Sequence, residues 1–249
     1  MRFFTCFIVA SLLTFACLAQ GGEGKTGLGE DVVFQTDDGV EIHGTFYRAP
    51  APGAPAVILL HMLGRTRADW NPLARSLRSE GINVLAIDLR GHGQSIRQDG
   101  REIGFRNFTA AQFNEMILDV KAARAFLEER GGIDSGRLGL IGASIGCNVA
   151  IGEIRERGRI RTAVLLSPGL DYKGVRTLEP IKAVSGCSFL IVASQDDAYS
   201  AKSSGELAAA ATGKKRLHLY QNAGHGTRMF KKESGLETMI LQWMRENLF

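Results

Sequence analysis

From Asp31 to the C-terminus the chain alternates short apolar runs with longer segments whose apolar residues recur at helical spacing. Val32–Thr36 and Glu41–Arg48 flank Asp37-Asp38-Gly39, a turn sequence that predicts a hairpin. Ala56–His61, Asn83–Asp88, Arg137–Ile141, Arg161–Leu166 and Ser188–Ala193 are compact and apolar, as strands covered on both faces are, and Arg216–Tyr220 reads as one more strand. Between them Arg67–Glu80, Thr109–Arg130, Ile145–Arg157, Lys202–Ala211 and Ser234–Asn247 read as helices. Gly81 stops the first. Thr109 caps the second, which sets Phe113, Ile117, Val120, Ala123 and Leu127 on one face and ends at Gly131-Gly132. A hairpin followed by alternating strands and helices predicts an α/β fold, a mostly parallel sheet with helices on both faces, as a single domain over 31–249.

The first thirty residues follow a different pattern. Arg2 precedes an apolar run from Phe3 to Ala19, and the chain then turns glycine-rich and polar. That is the layout of a signal peptide over 1–19, cleaved before Gln20, followed by a flexible tether over 20–30 and predicting export to the periplasm or medium. Cys17 as a lipid-modified N-terminus is a competing reading, although bulky Phe15 fits that processing site badly; an uncleaved anchor is a third. Only in the last two cases would the protein meet a membrane. Removal of the leader leaves Cys147 and Cys187, both in apolar surroundings, where two free buried thiols are expected in preference to a disulfide.

Composition narrows the class further. Of 249 residues, 45% are hydrophobic and 22% charged, as in ordinary globular domains. The net charge of +4 raises the question of nucleic acid, but the basic residues are scattered, apart from short clusters such as Lys214-Lys215-Arg216, and no aromatic-interleaved stripe accompanies them. No nucleic-acid partner is expected. No metal or cofactor is expected either: histidines, cysteines and acids do not fall at ligand spacing, and Gly22–Gly29 lacks the full phosphate-loop pattern and a leading strand.

The chemistry is carried by Gly142-Ala143-Ser144-Ile145-Gly146, placed between a predicted strand and a predicted helix. A serine at so sharp a turn projects its hydroxyl beyond the sheet edge, and glycines two residues either side avoid collision. The following helix aims its free N–H groups at the same point, making Ile145 N–H one candidate oxyanion donor. With this elbow the segment order resembles the α/β-hydrolase superfamily over about 31–249, in particular its dienelactone-hydrolase-like and small carboxylesterase members. The resemblance implies an eight-stranded sheet with its second strand antiparallel, and a triad in the order serine, acid, histidine.

A serine hydroxyl needs an imidazole to take its proton. His43 and His218 lie within strand patterns, His61 ends a strand, and His92 belongs to the turn Arg90-Gly91-His92-Gly93-Gln94-Ser95. His225, in Asn222-Ala223-Gly224-His225-Gly226 after the last strand, resembles the catalytic histidine loop of the superfamily. The acid is expected after Ser188–Ala193, where Asp197 is preferred to Asp196; the loser of the two would cap the next helix. Asp171 is an outside candidate and Asp88 is expected to be structural. The second oxyanion donor falls in His61-Met62-Leu63-Gly64, which resembles the His-Gly-x loop of the superfamily but carries Met62 where glycine is usual; Leu63 N–H is the matched donor and Met62 N–H the next.

Only Ser167 to Gly186 separate the sixth and seventh strands, too little for a large helical cap. A shallow, accessible site follows, its mouth given an apolar lining by Met62, Leu63, Ile145 and Tyr199, with core packing the alternative account of the first three. Hydrolysis of small or medium carboxylic esters through an acyl-Ser144 intermediate is the leading expectation. A peptidase or amidase on the same triad is the alternative, and a non-catalytic binding protein of this fold a more distant one. The oligomeric state is not legible in the sequence.

Overall fold

The computed structural model describes residues 29–157 and 160–249. The signal peptide over 1–19, Cys17 and all but the end of the tether lie outside these residues. Strand β1 (Glu30–Gln35) already begins at Glu30, one residue inside the segment expected as tether. It is followed by β2 (Glu41–Tyr47), β3 (Ala54–Leu60), β4 (Asn83–Ile87), β5 (Ile133–Ala143), β6 (Ile160–Leu166), β7 (Ser188–Ser194) and β8 (Lys215–Tyr220). The eight strands form one sheet in the order β1-β2-β4-β3-β5-β6-β7-β8. β2 runs antiparallel to both β1 and β4, and every other neighbouring pair is parallel.

Alternation along the strands divides the interior into two cores. Ile58 and Leu60 face one side with α3 (Met116–Glu129), α4 (Ile145–Arg157) and α6 (Ala198–Ala210), while Val57 and Leu59 face the other with α1 (Asn71–Ser79) and α7 (Gly235–Leu248). β3, β4 and β7 are buried at every position, which is why they read as unbroken apolar runs.

Several boundaries differ from expectation for local reasons. Arg67–Glu80 opens as a 3-10 turn over Arg67–Trp70 and becomes α-helical only at Asn71, with Pro72 in its first turn. The expected helix from Thr109 is two: α2 (Ala110–Asn114), with a Thr109/Gln112 capping box, and α3. The Asn114 side chain donates to the Ala110 carbonyl at 2.7 Å and to Gly174 O at 3.1 Å, competing for the backbone acceptor at the break. β5 reaches back to Ile133, where it pairs with Ala54 across a register shift; polar Asp134–Arg137 hides that start. The segment between β6 and β7 is folded rather than a bare loop, with a small hairpin pairing Asp171–Tyr172 to Val175–Arg176 and then α5 (Leu178–Lys182). No large cap domain is present among the described residues. Cys147 and Cys187 are free and buried, as expected.

The site depends on one close approach. A Cβ on Gly146 would lie 2.4 Å from the Leu60 carbonyl oxygen, so the first turn of α4 is seated directly on the end of β3. Gly146→Ala is expected to lower stability by about 2 kcal/mol through overpacking against an immovable carbonyl. Urea denaturation of the variant beside wild type checks it, an unchanged midpoint being the contrary result.

Candidate active site

Ser144 occupies the turn between β5 and α4 with φ +54°, a left-handed conformation rare for a residue with a side chain. Its N–H donates to Leu166 O at 2.9 Å, and its carbonyl accepts from Cys147 N at 2.9 Å, closing the first turn of α4. The residue is 7% exposed, so the site is more enclosed than the absence of a cap suggested. A Cβ on Gly142 would lie 2.5 Å from Gly146 C, so each glycine of the motif clears a backbone contact of its own, Gly142 with α4 and Gly146 with the end of β3.

His225 sits after β8 between two glycines of positive φ. Three backbone N–H groups pin its loop. Ala223 N donates to Ser194 Oγ at 2.7 Å, Gly224 N to Asp196 Oδ1 at 3.1 Å, and Gly226 N to Ser167 Oγ at 2.9 Å. Because Ser144 N is tied to Leu166 and Gly226 N to Ser167, the elbow and the histidine loop are anchored to adjacent residues at the end of β6. Among the described residues no hydrogen bond joins Ser144 Oγ to a partner.

Asp197 Oδ2 lies 2.5 Å from His225 Nδ1. An ionised carboxylate is an acceptor only, so Nδ1 carries the proton and Nε2 is left as the basic nitrogen. Asp197 is also the N-cap of α6, its Oδ1 accepting from Ser200 N at 3.4 Å. The expectation that the helix cap would be whichever aspartate did not face the histidine is therefore corrected: one carboxylate does both, and α6 starts at Ala198 rather than Lys202 because of that cap. Asp196 instead accepts from the Ser194 hydroxyl and Gly224 N, and the Ser194 bond, with the Gly224 N–H, holds its carboxyl below the usual range. It pins the loop. Asp171 is taken up by the hairpin turn, accepting from Gly174 N at 2.7 Å. Asp88 is structural as expected, ion-paired with Arg67 and accepting from Gln94 N at 3.0 Å.

The loop after β3 is oriented by His61, which is fully buried. Its Nδ1 lies 2.7 Å from Met62 O, and its Nε2 accepts from Leu89 N at 3.0 Å, so the ring is neutral with the proton on Nδ1. Met62 O also accepts from Arg65 N at 3.1 Å. Among the described residues neither Met62 N–H nor Leu63 N–H has a backbone or side-chain acceptor, and Ile145 N–H opens a helix whose first N–H groups lack intrahelical partners. Such free N–H groups are the kind of donor that an oxyanion hole requires.

The expected apolar mouth is met in part. Met62 packs in one core and also lines the cleft beside His225, Ile145 belongs to the other core with Leu63 packed against it, and exposed Tyr199 donates its hydroxyl to Asp171 O at 2.9 Å. That cleft, about 1050 Å³, is mixed in character, with Leu73 and Phe230 beside Arg65, Asp69 and Lys231 in its lining. Sequence reasoning missed Ser200 and Tyr172, both close to His225. Ser200 Oγ lies 3.5 Å from Nδ1, and the Tyr172 ring meets the imidazole edge-on. Among the described residues no group of three or more His, Cys, Asp or Glu side chains could hold a metal ion.

Sheet order, elbow and histidine loop together define an α/β hydrolase. A family model described as serine aminopeptidase, S33, matches residues 52–186, and the chain belongs to that family. The matched segment contains Ser144 but ends before Asp197 and His225. An uncharacterized protein of Mycobacterium tuberculosis is 26% identical over 215 residues, covering 79% of this chain and 72% of its own length. The thiohydrolase aneE of Aspergillus aculeatus is 30% identical over 142 residues, 57% of this chain and 42% of its own. Among solved structures, the Pyrococcus furiosus esterase Pf2001 superposes with a TM-score of 0.72 at 21% identity, covering 89% of this chain and 93% of that one. DcsB, in complex with a substrate analogue, gives 0.75 at 16%, covering 88% and 99%. These matches support the superfamily and not the narrower dienelactone-hydrolase-like subtype.

Burial, with a lesser contribution from neighbouring His92, pushes the His61 imidazole down to about 4. The unfolded chain binds that proton near pH 6.5, the folded one near 4, so stability falls as pH drops through this window. Between pH 7 and pH 5 wild type should lose about 2 kcal/mol from this group alone. Thermal or urea unfolding of His61→Gln, measured at both pH values, should show a correspondingly smaller loss; an equal loss in both proteins would exclude His61 as the source.

Proposed function

We propose that this chain hydrolyses carboxylic esters of small or medium substrates through an acyl-Ser144 intermediate. The observation that carries the proposal is the 2.5 Å contact between His225 Nδ1 and Asp197 Oδ2, in a chain whose Ser144 is held at a strained strand-to-helix turn. His225 Nε2 takes the Ser144 hydroxyl proton as Oγ attacks the ester carbonyl. The tetrahedral oxyanion is received by Ile145 N–H with Leu63 N–H, and Met62 N–H is the further donor. Collapse expels the alcohol, which leaves with the proton from His225, and the acyl group stays on Ser144. Water then attacks that ester, giving its proton to His225, and the carboxylic acid departs as Ser144 recovers its hydrogen.

Esterases by name among the structural neighbours support the ester reading only through a shared fold. Membership of a family described as serine aminopeptidase favours a second reading, amide or peptide cleavage by the same residues, and the thiohydrolase relative extends the list of acyl donors to thioesters. The leader expected over residues 1–19 supports a reading in which the activity lies outside the cytoplasm.

The test is turnover of nitrophenyl acetate and longer acyl esters beside the matching thioesters and aminoacyl anilides. Ester turnover should dominate, and Ser144→Ala should remove on the order of a million-fold of it. Activity on anilides alone would move the assignment to the second reading, and equal activity in wild type and variant would remove Ser144 from the mechanism. A second comparison separates the two aspartates. Asp197→Asn retains a side chain that caps α6 well yet should lower turnover about ten-thousand-fold, whereas Asp196→Asn should stay near wild type. The reverse order in steady-state kinetics would exchange their roles.

A further inference from the structure

Beyond the three residues of the proposed triad, the histidine has a second acceptor. Ser200 is fully buried in the first turn of α6, and its Oγ lies 3.5 Å from His225 Nδ1. The same hydroxyl is 2.9 Å from Tyr172 Oη, which lies 3.4 Å from the Ser167 carbonyl oxygen. The direction of each bond follows from proton bookkeeping. Asp197 obliges Nδ1 to carry hydrogen, so Nδ1 cannot accept and Ser200 Oγ must be the acceptor. The Ser200 hydrogen then goes to Tyr172 Oη, its one other neighbour, and the Tyr172 hydrogen to Ser167 O. Burial raises the Tyr172 hydroxyl above its ordinary value, so the phenol keeps that hydrogen across any working pH.

The chain ends where the site is already anchored. Ser167 is fully buried, with φ +56°; its N–H donates to Val192 O at 2.7 Å and its Oγ receives Gly226 N, next to the histidine. Tyr172 is itself fixed, its ring edge-on to both His225 and Tyr199, and Tyr199 is clasped to the backbone of Asp171. The short hairpin after β6 therefore delivers one hydroxyl to Ser200, the neighbour of the histidine.

From this we infer that Ser200 and Tyr172 are positioning residues, forming a relay from His225 Nδ1–H through Ser200 and Tyr172 to the Ser167 carbonyl that holds the imidazole in register and stabilises the imidazolium. The inference rests on the assignment of His225 as the general base. At rest the 3.5 Å leg is long, and Asp197 dominates. When Nε2 gains a proton, Nδ1–H becomes a stronger donor, and each hydroxyl of the relay is polarised by the one before it. Removing the Ser200 hydroxyl takes an acceptor from the protonated ring and leaves the neutral ring almost untouched, so the loss is confined to steps in which the imidazolium exists.

The experiment compares Ser200→Ala, Tyr172→Phe and the double variant with Ser204→Ala, a buried serine of the same helix whose Oγ has no hydrogen-bond partner. On nitrophenyl acetate, Ser200→Ala should lower kcat about tenfold or more with KM within about twofold, and Tyr172→Phe about threefold. The double variant should match Ser200→Ala, since both changes cut one chain. The acid limb of kcat/KM should move to lower pH in Ser200→Ala and stay in place in Ser204→Ala. Proton NMR of the substrate-free enzyme, at a pH low enough to form the His225 imidazolium, supplies a readout independent of turnover: the low-field Nδ1–H resonance of His225 should move upfield in Ser200→Ala and Tyr172→Phe. Wild-type kcat, pH limb and resonance in Ser200→Ala would overturn the relay, as would equal losses in Ser204→Ala. Should Ser200→Ala fail to fold, Tyr172→Phe decides by the same three readouts. If Ser144→Ala proves as active as wild type, it is the triad assignment that fails, and the NMR shift still decides whether the relay exists.

Discussion

The seating of α4 on the end of β3 is the constraint from which the rest of the site follows. Helix and strand approach so closely at Gly146 that no side chain fits between them, and Gly142 clears the backbone of the same turn. That contact forces Ser144 into positive φ and brings the N-terminus of α4 beside the His61-Met62-Leu63 loop. Ser144 and the proposed oxyanion donors are therefore set by a single backbone packing event, and strain at Ser144 is sustained by the interior on both sides of the sheet. The histidine loop is added to this frame from outside, through hydrogen bonds to Ser167, Ser194 and Asp196.

Much of this was legible because two physical periodicities write themselves plainly into sequence. Strands buried on both faces leave continuous apolar runs, and β3, β4, β6 and β7 were located to within two residues at each end. The elbow was legible for the opposite reason, since a turn that tolerates no side chains must spell glycine at fixed spacing. Features held by polar side chains were not. Asn114 breaks a helix that hydrophobic spacing runs through without interruption, and the start of β5 is masked by Asp134 and Arg137. The hairpin after β6 is only two residues on each side, below the length at which alternation carries information.

Asp197 shows where pattern reasoning divides what geometry combines. Capping and pairing with histidine were expected as alternative fates for two adjacent aspartates, yet they use different oxygens of one carboxylate. The N-terminus of α6 favours a negative charge at that place, and so does an imidazole that must become cationic. Both interactions fix the side chain from two directions. Asp196, one residue earlier, points into the histidine loop and is satisfied there.

The same economy accounts for the absence of a larger cap. Roughly twenty residues between β6 and β7 cannot build a lid, but they can carry one tyrosine to a chosen place, and Asp171, Tyr172 and Tyr199 lock that place by hydrogen bonds and ring packing. Ser200 is within reach of both Tyr172 and His225 because the Asp197 cap starts α6 early; a helix beginning at Lys202, as hydrophobic spacing suggested, would leave position 200 outside it. The capping of α6, the orientation of the histidine and the placement of the hairpin are thus one coupled arrangement. Its outer members are polar residues that no hydrophobic pattern identifies, and the apolar frame beneath them is what makes their positions definite.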